Sequence, residues 1–491
     1  MKSKVTEQSS LLVPRSYHSG IRFRHGSGTR SFLAVLLASL SVFATAQAPV
    51  YARPPNVVIF YADDMGIGDI GCYGCTDIRT PSLDALAASG VRLTNYYSAA
   101  PICSPSRAAL LTGRTPARAG LSLAKNISSK PGEPGMSAEE ITIAELARTR
   151  GYATAAIGKW HLGYSRDTQP NGQGFDLFFG FHSSLTEYFS HMNYWEEPYH
   201  HDLFRNREEV FENGVHMTDL ITRETVEFIE QNRGKPFLVY VAYNAPHYPM
   251  VAQTRFLRAY GSMPEPRRSY AALVAGMDES VGRILERLRG LGLERDTLVF
   301  FSSDNGAAAA SPRGEGGGSN GPFREGKRSL FEGGIRMPAI VRWPGTVGAG
   351  QTRNQLAVAM DVFVTIADAI GAEIPADRTF DGRSWLPMLK DAGAPCHETL
   401  FFEWDGQQAV RQGKWKLVRN GLIDLAASRQ KRAAGDDAVF LSDLDADPGE
   451  TKNLRSLHPD VAARLLALHD DWRAAIAKDL AARSKGTESR Q

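Results

Sequence analysis

Four stretches of the chain are apolar without alternation and stop abruptly at polar residues. Asn56-Val-Val-Ile-Phe-Tyr-Ala62 runs into Asp63-Asp64-Met65-Gly66, and Tyr152-Ala-Thr-Ala-Ala-Ile157 into Gly158-Lys159-Trp160-His161-Leu162-Gly163. Phe237-Leu-Val-Tyr-Val-Ala-Tyr243 leads to Asn244-Ala245-Pro246-His247, and Thr297-Leu-Val-Phe-Phe-Ser302 to Ser303-Asp304-Asn305-Gly306. Continuous apolar runs of this length predict strands covered on both faces. Between them, apolar residues recur at helical spacing: Leu83, Leu86 and Ala87; Ile143, Leu146 and Ala147; and a long stripe through Leu273, Met277, Val281, Ile284 and Leu288. Strands alternating with helices predict an α/β fold with a large, mostly parallel sheet between helices. Ligands bind outside the carboxyl ends of such strands. All four polar clusters fall at that end, so they can converge on one site.

After about residue 392 the pattern changes. Thr399–Trp404, Gln408–Arg411, Trp415–Arg419 and Val439–Leu444 read as short strands separated by turn signals such as Asp405-Gly406. An apolar helical stripe follows from His458 to Ala482. This predicts a small C-terminal α+β domain with an antiparallel sheet over 393–491, behind a catalytic domain over 49–392.

The first 48 residues read as an address. A basic stretch precedes an apolar run, Ser31 to Phe43, that is too short for a membrane span of ~20 residues, and Ala46-Gln47-Ala48 follows as a cleavage site. The expectation is a signal peptide over 1–48 and an exported, periplasmic or secreted protein with no membrane anchor after cleavage. Composition narrows the partners. Lys+Arg 56 against Asp+Glu 54 leaves a net charge of +2, which gives no electrostatic case for nucleic acid. A mean hydropathy of -0.27 excludes a multi-span membrane protein. Four cysteines in 491 residues exclude a disulfide scaffold. Cys72 and Cys75 form a lone C-x-x-C, which leaves a local disulfide or two free thiols open.

The most informative segment is Pro101-Ile-Cys103-Ser-Pro-Ser-Arg107-Ala-Ala-Leu-Leu-Thr112-Gly113-Arg114. Ser104 can cap a helix with Pro105 in its first turn and Gly113 at its end. Cys103 then sits just before a helix N-terminus, where free N–H groups favour an anion, and Arg107 lies one turn further on. On its residues alone, the segment is as readily a buried cysteine ahead of a capped helix.

Cys103-Ser-Pro-Ser-Arg107 followed by Leu111-Thr-Gly113 resembles the sulfatase family signature, and Gly158-Lys-Trp-His-Leu-Gly163 resembles its second signature. Asp63-Asp64, His247, Asp304-Asn305-Gly306 and Lys327 fall in the family's order, and the likeness runs from about Pro54 to Leu457. The resemblance implies an alkaline-phosphatase-like sandwich and hydrolysis of sulfate esters. It implies that Cys103 is oxidised to formylglycine by a formylglycine-generating enzyme. The aldehyde hydrate offers one hydroxyl to attack sulfur and a second to expel sulfate. It implies one Ca²⁺ held by Asp63, Asp64, Asp304, Asn305 and the modified Cys103. These hard oxygen donors suit Ca²⁺, with Mg²⁺ second, and not Zn²⁺. It places Lys159 and His247 on the sulfate, His161 as the base on the second hydroxyl, and Arg107 on the hydrate. Lys327 then contacts the sulfate and, with His247, helps the alcohol leave.

Two loops bear on the substrate. Phe181 to Asp202 carries Tyr188, Phe189, Tyr194, Trp195 and Tyr199, whose rings can stack on sugars or pack the loop onto the domain. Ser319-Asn-Gly-Pro-Phe323, within the Gly-rich loop from Gly306 to Gly326, resembles the N-acetylgalactosamine-6-sulfatase branch of the family. That implies a sulfated glycan or small molecule as substrate, such as a 6-sulfated galactose or N-acetylgalactosamine unit. The rivals are a phosphate or phosphonate monoester hydrolase of the same fold, and an inactive glycan-binding relative.

Overall fold

The computed structural model describes residues 54–491 apart from 122, 124, 125, 129, 131, 132, 134, 196, 310–315, 425–429 and 489–491, with side chains described as far as 482. The leader expected over 1–48 and part of the Gly-rich loop therefore lie outside the described residues. The four apolar runs sit side by side in one sheet, in the order Thr297–Ser303, Asn56–Ala62, Phe237–Ala242, Ala153–Lys159, and every pair is parallel. All their residues are buried, as unbroken apolar runs require. Leu177–Phe181 extends the parallel set beyond Ala153–Lys159.

On the other side the sheet is mixed. Arg336–Arg342 pairs antiparallel with Thr297–Ser303, and Val91–Tyr97 antiparallel with Arg336–Arg342. Val91–Tyr97 thus runs in the same direction as the parallel set, and its carboxyl end reaches the same edge. The apolar pattern does not announce these two strands. Val91–Tyr97 is only partly buried, and Arg336–Arg342 contains Pro338, where the register shifts between Met337 and Ala339. A proline lacks the N–H that a regular ladder needs, so it sits at an irregularity.

Helices cover both faces. Val58 and Phe60 share a core with Leu220 and Ile221 of Met217–Asn232 and with Leu273, Val274 and Met277 of Arg267–Gly290. Tyr61 and Tyr240 instead meet Arg107 of the helix Cys103–Thr112, which packs against Asp361–Ile370.

The C-terminal part follows its short-strand pattern. Thr399–Trp404, Gln407–Gln412, Trp415–Arg419 and Val439–Asp443 form a four-stranded antiparallel sheet. Val410, Leu417 and Leu441 of this sheet bury against Ala462 and Leu465 of the helix Pro459–Glu488.

Candidate active site

Strand order fixes the site. Ala62 pairs with Ser303 and Tyr61 with Ala242, so Asp63-Asp64, Asp304-Asn305 and the Asn244–His247 turn leave the sheet at one level. Lys159 ends the next strand, and its predecessor Gly158 has φ 108. A Cβ on Gly158 would lie 1.9 Å from the Ala242 carbonyl oxygen, so only glycine lets the two strands approach here. Val91–Tyr97 delivers Cys103 to the same edge, and the connection back to Arg336–Arg342 carries Lys327 over it.

The helix that presents Cys103 begins two residues earlier than the sequence implies. It spans Cys103–Thr112, with the extended Ile102 as N-cap and Gly113 ending it at φ 69. Ser104 does not cap this helix. Its hydroxyl accepts from the Ile127 N–H, and its own N–H donates to Asn126. Pro105 is still tolerated, because the first four N–H groups of a helix lack intrahelical partners. Cys103 therefore sits in the first turn, at the positive end of the dipole.

Around Cys103, three carboxylates interlock with three cations. The Cys103 Sγ lies 3.7 Å from Asp63 Oδ1. Lys159 Nζ donates to both Asp63 oxygens at 2.9 and 2.7 Å. Arg107 donates to Asp304 Oδ2 from Nε at 3.1 Å and from a terminal nitrogen at 2.8 Å; that terminal nitrogen is also 3.3 Å from Asp63. Asp64 accepts from Asn305 Nδ2 at 2.7 Å and from Lys327 Nζ at 2.7 Å. Lys327 Nζ is also 3.2 Å from His247 Nε2. All these side chains are at least nine-tenths buried except Lys327, at 11% exposed. Two of the site's residues hold left-handed backbone, Asp64 at φ 62 and His161 at φ 55. Such strain costs about 1–3 kcal/mol per residue and persists only where the surroundings impose it.

Burial and charge set the protonation states. Burial pushes the Cys103 thiol up to about 12, against the pull of Lys159 and Lys327, so the unmodified residue is a neutral thiol and not a nucleophile. Burial works against ionised Asp64, but Lys327 and His247 override it and hold its carboxyl below the usual range. Burial, reinforced by the Lys327 charge, lowers His247 to about 3. Its Nδ1 faces the Tyr248 carbonyl at 2.6 Å, so that nitrogen carries the proton and Nε2 accepts from Lys327. Burial and the charges of Lys159 and Arg107 likewise keep His161 neutral. One His161 nitrogen faces the Ile127 carbonyl at 3.1 Å, and Nδ1 has no partner among the described residues.

The donor set fits a hard divalent cation. One carboxylate oxygen each from Asp63 and Asp64, the Cys103 sulfur and one His247 nitrogen lie within 4.8 Å of one another. Asn305 Oδ1 is buried with no hydrogen-bond partner among the described residues, although its Nδ2 is fully engaged. An amide oxygen left unpaired in this way, beside the Asp64 carboxylate, is chemically suited to a hard cation.

The structure also reassigns one of the loop aromatics, and it shows a residue, Gln407, that the sequence did not single out. Tyr188 is fully buried, and its hydroxyl donates to the carbonyls of Asn244 and His247, both at 2.9 Å. It fixes the His247 turn and is not a rim residue; His182 and His191 are buried as well, which leaves Tyr194, Trp195 and Tyr199 at the surface. Gln407 of the C-terminal sheet grips the Lys327 segment. Its Oε1 accepts from the N–H groups of Leu330 and Leu422, and its Nε2 donates to the Arg328 carbonyl. Nothing local marks it, because two of its three partners, Leu330 and Arg328, lie 77 and 79 positions away. Gln407→Ala would orphan the buried N–H groups of Leu330 and Leu422, each costing about 1–3 kcal/mol, and free the half-buried Arg328 carbonyl. A loss of about 3 kcal/mol is expected, read from the shift in urea midpoint at unchanged m-value.

Comparison with known proteins agrees with this geometry. The sulfatase family model matches residues 55–372, and one for the C-terminal part of N-sulphoglucosamine sulphohydrolase matches 320–470. N-acetylgalactosamine-6-sulfatase of Mus musculus is 38% identical over 398 residues, covering 78% of this chain and 75% of that protein. Arylsulfatase A of Homo sapiens is 34% identical over 461 residues, covering 87% and 86%. Among solved structures, Ps i-CgsB aligns with a TM-score of 0.76 at 29% identity, covering 86% of this chain and 93% of that one. The sheet between helix layers with its C-terminal antiparallel sheet is the alkaline-phosphatase-like architecture of these enzymes. With the family model spanning most of the chain and the site at its expected edge, this protein belongs to the sulfatase family and is a sulfuric ester hydrolase.

Proposed function

We propose that the chain removes O-sulfate from a sulfated sugar, using formylglycine formed from Cys103 and a Ca²⁺ held by Asp63, Asp64, Asp304, Asn305 and residue 103. The observation that carries this reading is the convergence of Cys103, in the first turn of a helix, with three carboxylates and the cations Arg107, Lys159 and Lys327. Three negative and three positive charges balance as they stand. A divalent cation leaves a net positive pocket for an anionic ester and supplies Lewis-acid stabilisation of its oxygens. The aldehyde hydrate at residue 103 supplies the nucleophile that a neutral, buried thiol cannot.

The remaining steps belong to the chain's own side chains. Lys159 holds the sulfate oxygens, His247 joins it once the bound anion favours a proton on its Nε2, and Arg107 orients residue 103 while it is itself fixed by Asp304 and the Tyr240 hydroxyl. His161, neutral and with Nδ1 unpartnered, takes the proton from the second hydroxyl as sulfate departs. Lys327, whose proton faces His247 Nε2, delivers positive charge or a proton to the departing sugar oxygen. Because Cys103 is only 1% exposed, the formylglycine-generating enzyme must act before the chain closes around it. That order suits export behind a leader at 1–48, with a catalytic domain over 49–392 and a C-terminal domain over 393–491. The 38% identity to N-acetylgalactosamine-6-sulfatase supports a 6-sulfated galactose-configured unit as substrate. The test is sulfate release from such sugars and from 4-nitrophenyl sulfate, with 4-nitrophenyl phosphate as the rival. Faster release of phosphate than of any sulfate would refute the reading.

The metal has its own readout. Chelation is expected to lower the melting temperature, and Ca²⁺ at about 100 times its Kd to restore roughly 3–5 °C, because the cation binds only the folded carboxylate cluster. Elemental analysis showing stoichiometric zinc, without calcium or magnesium, overturns the assignment.

A further inference from the structure

Among the described residues, the exposed large aromatic side chains are confined to one short segment: Tyr194, Trp195, Tyr199 and Phe211, at 48, 40, 58 and 69% exposure. Solvent-facing rings gathered in one place mark a recognition surface. Three of them are connected to the active site through a chain of ring contacts. His247 stacks on Tyr248 with centroids 4.8 Å apart, and Tyr248 meets Trp195 edge-on at 6.0 Å. Trp195 meets Tyr194 at 6.1 Å, and Tyr194 meets Tyr199 at 6.4 Å. The first ring of this series lies 3.2 Å from the Lys327 ammonium, and the last stands in solvent.

The rings are carried on a firm base. Tyr194, Trp195 and Tyr199 lie between the paired strands Met192–Asn193 and His200–His201. There, the Trp195 N–H donates to Asn193 Oδ1. At the root, the fully buried Asp202 carboxylate accepts from the N–H groups of His182 and Ser183 and from the Tyr164 hydroxyl. A rigid root under exposed rings limits the ordering cost of binding.

We propose that Tyr248, Trp195, Tyr194 and Tyr199 form a glycan platform that holds the sugar rings beyond the sulfated unit. This rests on the sulfatase reading and extends it outward from the sulfate. Lys327 is the most exposed of the charged groups around Cys103, and it lies 3.2 Å from His247, where the ring series begins. The C–H faces of pyranose rings meet the electron-rich faces of aromatic side chains, and successive rings match successive sugars. A second copy of this chain is the competing occupant of the same surface.

The test uses the full-length Cys103→Ala protein, which holds substrate without turning it over. Its affinity is measured by calorimetry for 6-sulfated N-acetylgalactosamine and for a tetrasaccharide ending in that unit. The tetrasaccharide is expected to bind about tenfold more tightly. Trp195→Ala and Tyr199→Ala in the same background should erase that gain, and Trp195→Phe should keep part of it. Equal affinities for the two sugars, or a gain that survives both alanine changes, overturns the platform. Dimerisation in sedimentation runs that is lost in the same variants, with no tetrasaccharide gain, overturns it in favour of self-association. The sulfatase reading is judged separately, by hydrolysis of 4-nitrophenyl sulfate in the parent protein, since that ester has no further sugar to place on the rings.

Discussion

Cys103→Ala is expected to abolish sulfate ester hydrolysis, with kcat falling by about 10⁶-fold, as for removal of other covalent nucleophiles. The reason is chemical as well as structural. Burial pushes the thiol up to about 12, so at neutral pH the unmodified side chain is uncharged. Even as a thiolate, it would capture the sulfuryl group without a second hydroxyl to release it. The variant should still fold, because Cys103 loses one buried sulfur while Asp63 keeps Lys159 and Arg107. The checks are steady-state turnover of 4-nitrophenyl sulfate, a thermal melt, and peptide mass spectrometry of the parent protein. An aldehyde is expected at position 103 in active protein, and full activity with an intact thiol there would end the formylglycine mechanism.

Lys327→Ala should separate binding from leaving-group assistance. Lys327 Nζ lies 2.7 Å from Asp64 and 3.2 Å from His247, and the Asp64 charge, working against burial, keeps the ammonium protonated. General acid help is worth about 10²–10⁴-fold when the departing oxygen is basic. A sugar alkoxide is such a group, and a nitrophenolate is not. The loss in kcat is therefore expected to reach about 10²-fold or more on a 6-sulfated sugar and to be much smaller on 4-nitrophenyl sulfate. Equal losses on both would leave Lys327 as a sulfate contact alone. In this variant Asp64 also loses the cation that holds its carboxyl low, so the pH profile should be recorded with the rates.

Much of this was legible because the strands are buried on both faces. Unbroken apolar runs at Asn56–Ala62, Phe237–Ala242 and Thr297–Ser303 leave no amphipathic ambiguity, and a run that ends in Asp63-Asp64 or Asp304-Asn305 marks its own carboxyl edge. Cys103 and its flanking residues were legible for another reason. The chemistry needs a particular order of residue types within one helical turn, and such order survives in a string. The strand Arg336–Arg342 was not legible, since Pro338 interrupts its pattern and its partners are set by the sheet.

What the chain order could not supply is distance between remote segments. That Asp64 shares its carboxylate with Lys327, 263 positions later, depends on the connection to Arg336–Arg342 folding back over the sheet edge. That Gln407 holds this connection, and that Tyr188 is a buried support while Trp195 stands in solvent, are likewise consequences of packing. Residue type and spacing determined which groups could do the chemistry. Tertiary structure decided which of them meet, because a hydrogen bond or a desolvated charge acts over a few ångströms whatever the separation along the chain.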